Sequence, residues 1–146
     1  MRHIVLLMLL LTGCSATGPA FDRSMVRDNL VIYRPDGFYS GIFQIEVNGR
    51  PVCKLKKAGY VVVKDSNREL NITSEIWDMP GVSRLTVINK GDTYVRADVD
   101  ADKQAAGVVG GYIGEAMHGM TGPYIFTEVP ESQALRELEG LKRDCE

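Results

Sequence analysis

Histidine is nearly missing from this chain: only His3 and His118 occur among 146 residues. Tryptophan occurs once, as Trp77, and cysteine three times, as Cys14, Cys53 and Cys145. A Ser or Cys nucleophile needs a nearby base, and past the first residues His118 is the sole histidine to supply one. Only Glu115 stands close enough in sequence to orient it, so His118 reads as a surface loop residue. A positive surplus is missing too. The 17 Lys and Arg against 19 Asp and Glu leave a net charge of −2, which excludes a strongly basic nucleic-acid grip. No His-Glu-x-x-His, Gly-x-Ser-x-Gly, P-loop or Cys-x-x-Cys motif appears. Asp98-Val99-Asp100-Ala101-Asp102 has the spacing of half a calcium loop. Lys103 stands where that loop needs Gly, and Val109 where it needs Glu, so the run reads as a solvated strand end. No cofactor and no metal are expected. The rest is ordinary for a globular protein, at 45% hydrophobic and 25% charged, and the length suits one domain.

The one long apolar run is Ile4 to Leu11, behind the basic start Met1-Arg2-His3. A spanning helix needs about 20 apolar residues, so this run is too short and has the layout of a secretory signal. Leu11-Thr12-Gly13-Cys14 resembles the lipobox of bacterial lipoproteins: an apolar residue and two small ones before an invariant Cys. The resemblance implies removal of residues 1–13 and a diacylglycerol thioether on Cys14, with further acylation of its freed amine. Two or three acyl chains give stable membrane anchoring. Ser15, where an Asp would retain such a protein at the inner membrane, implies the outer membrane, facing the periplasm. Residues 14–28 are expected to form the lipidated Cys and a tether, with small polar residues from Ser15 to Ala20.

From Asn29 the chain alternates with period two. Leu30–Tyr33 is a β-rich run closed by the turn residues Arg34-Pro35-Asp36-Gly37. Phe43, Ile45 and Val47 alternate with Gln44 and Glu46, and Asn48-Gly49 is a hairpin signal. Further strands are expected over Pro51–Leu55, Tyr60–Val63, Arg68–Ile76, Leu85–Ile88, Thr93–Val99 and Tyr124–Val129, with a break at Pro80-Gly81. Turns every 8–12 residues or so predict a β-sandwich or barrel. Glu131–Lys142 reads as a C-terminal helix, with Leu135, Leu138 and Leu141 on one side. Tyr33, Tyr60 and Tyr94 sit at strand ends, where a ring packs and its hydroxyl reaches water or backbone.

The order of these features is familiar. Val31-Ile32-Tyr33-Arg34-Pro35, Val47-Asn48-Gly49-Arg50, Leu55-Lys56-Lys57-Ala58-Gly59-Tyr60 and Gly91-Asp92-Thr93-Tyr94-Val95 together resemble a family of small bacterial lipoproteins known only as a domain of unknown function. The resemblance covers Leu30 to Val99 and the closing strand and helix. It implies an all-β antiparallel sandwich over residues 29–146, transthyretin-like or immunoglobulin-like, with a short C-terminal helix. It brings no established activity. Two departures stand out: Lys64-Asp65-Ser66-Asn67-Arg68 replaces the family's Pro-Gly-x-His turn, and residues 105–122 resemble an insertion.

That insertion carries six glycines among Val108, Val109, Tyr112, Ile113, Met117 and Met120. It reads either as an apolar cover laid over the sheet or as a contact segment for a membrane or partner, with Val108, Tyr112, Ile113 and Met117 as the contact residues. Trp77 either caps the sandwich or stacks on a sugar ring. Cys53 and Cys145 either pair, as an oxidising compartment permits, or stay single. Two functions follow as expectations. One is a non-enzymatic lipoprotein that docks an envelope protein or polymer. The other is a lipid-anchored cell-wall or glycan hydrolase using Asp98, Asp100 and Glu115.

Overall fold

In a computed structural model, the described residues are 15–37, 41–76, 79–99 and 124–145. They form a β-sandwich of nine strands and one short α-helix among those residues, with a single 3-10 turn at Arg23–Met25. The five-stranded sheet has the order β8-β7-β1-β4-β9, and the four-stranded sheet β3-β2-β5-β6. The strands are β1 (Leu30–Arg34), β2 (Phe43–Val47), β3 (Arg50–Leu55), β4 (Gly59–Val63), β5 (Glu69–Ile76), β6 (Met79–Ile88), β7 (Thr93–Val99), β8 (Tyr124–Glu128) and β9 (Lys142–Arg143). Helix α1 is Glu131–Leu138. Pairing is antiparallel except β1 with β7 and β4 with β9. A parallel neighbour requires a crossover, and between β1 and β7 the chain twice visits the other sheet.

The alternation in β2 and β5 fixes the interior. Phe43, Ile45 and Val47 point inward with Leu70, Ile72 and Ser74, while Gln44, Glu46, Glu69, Asn71 and Glu75 stay exposed. They meet Leu30, Ile32, Val61, Val95, Ala97 and Phe126 from the other sheet in one core. Asn48 and Gly49 have φ of 52° and 73°, the left-handed pair that a tight hairpin needs.

Strand β1 is buried along its whole length because its second face is covered as well. Val31 and Tyr33 join Tyr60 and Tyr94 under Val26, Val129, Ala134, Leu138 and Leu141. This second core explains the unbroken apolar run Leu30–Tyr33: both faces of the strand are dry.

Four expectations need correction. The helix stops at Leu138 instead of Lys142, because Gly140 takes φ 83° and turns the chain. Leu141 then packs into the second core, and Lys142-Arg143 pairs with β4 as β9. Strand β6 starts at Met79, so Pro80-Gly81 lies inside it and does not break it; β6 is a sheet edge, where a residue without an N–H is tolerated. The tyrosine hydroxyls do not reach water, Tyr33, Tyr60 and Tyr94 each being at most 2% exposed; Tyr60 reaches backbone as expected, whereas Tyr33 donates to a carboxylate and Tyr94 has no partner among the described residues.

The fourth correction concerns residues 15–28, expected to be a tether. They lie along the sandwich. Ala16 donates its N–H to the Lys57 carbonyl at 3.3 Å, Gly18 to that of Arg143 at 3.0 Å, and Phe21 to that of Leu141 at 3.1 Å. Arg143 returns an N–H to the Pro19 carbonyl at 2.8 Å. The Phe21 ring meets Tyr60 edge-on at 5.3 Å, and Val26 is 1% exposed. Small polar residues suit a linker by composition, but their backbone groups here pair with an open strand edge.

Candidate functional site

The outer face of the four-stranded sheet carries an open depression of about 520 Å³, lined by Glu46, Asn48, Asn71, Thr73, Glu75 and Arg84 among others. The register builds it. Glu46 on β2 faces Thr73 on β5, which faces Arg84 on β6, so a carboxylate, a hydroxyl and a guanidinium form one row across three strands. Gln44 faces Glu75 in the next row. Asn48 frames the rim. Its side chain accepts the Asn71 N–H at 2.9 Å and donates to Asp65 at 3.1 Å. Thr86 donates to the Asn71 side chain at 2.7 Å. The surface therefore offers donors and acceptors at strand spacing, the chemistry that reads a polar polymer or a polar protein face.

A second polar cluster sits beneath α1. The Tyr33 hydroxyl donates to Glu137 at 2.7 Å, Gln133 donates to it at 2.9 Å, and Arg96 approaches it at 3.3 Å. Arg96 also pairs with Asp98 at 2.6 Å. Burial opposes ionisation of Glu137, but the hydrogen bonds from Tyr33 and Gln133 and the charges of Arg96 and Arg136 outweigh it and lower its pKa. Burial first, then the bond to Glu137, pushes the Tyr33 phenol upward. Tyr33 thus stays a donor and Glu137 an acceptor, which fastens the helix to the sheet. Tyr60 donates to the Ala20 carbonyl at 3.3 Å, whereas the buried Tyr94 hydroxyl has no partner among the described residues.

Cys53 and Cys145 are joined in a disulfide, with Cα atoms 5.7 Å apart. It ties β3, in one sheet, to the residue two past β9, in the other. Asp98 is the single member of the acidic trio among the described residues, and Arg96 engages it. Asp100, Glu115, His118, Trp77, the contact residues Val108, Tyr112, Ile113 and Met117, and Leu11, Thr12, Gly13 and Cys14 all lie outside the described residues. Among the described residues no cluster of three metal-ligating side chains occurs, and no helix is long and apolar enough to cross a membrane. The alternation of β2 and β5 marks Glu46, Thr73 and Glu75 as wet residues. Their alignment with Arg84 depends on strand order, which no local pattern encodes.

The chain matches no known family model, no curated protein and no solved structure.

Proposed function

We propose that this protein is a non-enzymatic lipoprotein, anchored through Cys14 in the outer membrane and facing the periplasm, whose β-sandwich binds an envelope protein or polymer. The carrying observation is Leu11-Thr12-Gly13-Cys14 behind a basic start and an apolar run too short to span. The Cys53–Cys145 disulfide supports an oxidising compartment. The Glu46–Thr73–Arg84 row supplies a face with polar recognition chemistry, and residues 105–122 are a second contact segment in this reading. The similarity to small lipoproteins of unknown function belongs to the same proposal.

The test uses labelled fatty acid in a bacterial host. The native chain incorporates label and is processed before Cys14; the Cys14→Ala variant does neither. Label on the Ala variant would overturn the anchor. A photo-crosslinker placed at Thr73 should capture an envelope component, and Arg84→Glu should abolish that capture.

A further inference from the structure

The strap formed by residues 15–21 leaves no slack between anchor and domain. Ser15 bridges to Lys57, and Ala20 to Lys142. Ala16 is 7% exposed. Two glycines admit the strap. A Cβ on Gly18 would lie 2.1 Å from the Arg143 carbonyl oxygen, and one on Gly59 would lie 3.1 Å from the Ala16 Cβ. The surface that receives the strap is itself fixed. Asp144 accepts the Lys56 N–H and pairs with the Lys56 ammonium at 3.3 Å, and the next residue, Cys145, is bonded to Cys53.

Consecutive Cα atoms are about 3.8 Å apart, so lipid on Cys14 is rooted beside Ser15 and hence beside the Lys56–Gly59 corner. A free tether of this length would let the domain tumble; a hydrogen-bonded strap does not.

We propose that the Lys56–Gly59 corner, where β3 turns into β4, is a bilayer-contact surface held against the lipid headgroups by the docked strap. This inference rests on the lipid anchor proposed above. Lys56 and Lys57 then stand at the level of the headgroup phosphates. Lys64, beyond the far end of β4, and Lys90, in the turn between β6 and β7, point into the aqueous compartment. Strand β4 rises about 3.3 Å per residue, so its length separates the two levels. The rim residue Asn48 lies at the end of β2 opposite Leu55 and the corner, which turns that end of the polar depression away from the membrane.

The experiment reconstitutes the full-length lipidated protein in phosphatidylethanolamine–phosphatidylglycerol vesicles, with acylation of Cys14 checked by mass. A membrane-impermeant amine-acylating reagent is applied, and modification of Lys57 is read against Lys90. A second protein carries a ten-residue Ser/Gly insert between Cys14 and Ser15, about 17 Å of reach. The native protein should show a Lys57/Lys90 ratio several-fold lower than the insert protein. Equal ratios on acylated proteins overturn the headgroup contact and leave the anchor standing. A Cys14 without acyl mass overturns both readings. Gly18→Val, acylated and still cooperatively folded, should raise the ratio toward that of the insert protein; an unchanged ratio removes the strap as the positioning element.

Discussion

Gly18 donates its backbone N–H to the carbonyl of Arg143 at 3.0 Å, and any β-carbon on Gly18 would fall 2.1 Å from that same oxygen. The obstacle is backbone, so it cannot swing aside as a flexible side chain would. Gly18→Ala should cost about 1–3 kcal/mol, the usual penalty for overpacking. Urea unfolding of the native and variant proteins checks this; equal midpoints would show that the strap contributes nothing to stability.

The disulfide has a larger predicted effect. Cys53 and Cys145 are 92 residues apart in sequence. Closing a loop of that size in the unfolded chain corresponds to about 4–5 kcal/mol in the chain-entropy description. Reduction, or Cys53→Ala with Cys145→Ala, should lower the unfolding free energy by that order. Intact-mass analysis should find two hydrogens fewer in the oxidised protein than in the reduced one. Two free thiols in the native protein would contradict the bond.

Two tyrosines should respond in opposite ways to losing the hydroxyl. Tyr33 donates to the charged Glu137, and hydrogen bonds to charged groups contribute about 1.5–3 kcal/mol, so Tyr33→Phe should destabilise by that amount. The Tyr94 hydroxyl is buried without a partner among the described residues. Tyr94→Phe removes an unsatisfied polar group and should leave stability unchanged or raised. Thermal unfolding of the two variants side by side decides the point; a comparable loss for Tyr94→Phe would reveal a hidden partner.

Acid should weaken the helix dock. The folded-state pKa of Glu137 is lowered, so the unfolded chain binds its proton first as pH falls. The stabilisation is present above the unfolded value, about 4.3, and is lost as pH drops through the folded one. Glu137→Gln should be less stable than the native protein at pH 7 and should show a flatter loss of stability below pH ~4. Parallel acid limbs would assign the pH dependence elsewhere. At the alkaline end, burial raises the pKa of Tyr33, Tyr60 and Tyr94. Their neutral forms favour the folded state, and stability should fall once pH passes the unfolded tyrosine value near 10.

How far the sequence reveals this molecule depends on the range of the contacts. Period-two runs such as Phe43–Val47 and Leu70–Ser74 declare their buried face through neighbours two residues away, and the structure buries those residues. The Asn48-Gly49 turn is equally local. The helix end is less legible, because Leu141 continues the leucine spacing of α1 and only the left-handed Gly140 reveals the turn. The strap is illegible in composition: nothing in Ser15–Ala20 reports that β9 offers it carbonyls and N–H groups. The Glu46–Thr73–Arg84 row is partly legible: Glu46 and Thr73 fall on the wet side of alternating runs, whereas Arg84 precedes the strand expected from Leu85, and the alignment of all three is a property of the assembled sheet.

The distance along the chain between the strap and its partner also sets an order of events. Residues 15–21 leave the ribosome ahead of every strand, but the carbonyls of Leu141 and Arg143 that receive them exist only after every strand of both sheets has been made. Domains form as their chain emerges, so the strands of the sandwich can pair before residues 15–21 have partners to dock on. Docking of residues 15–21 then comes last, once β9 stands in place beside β4.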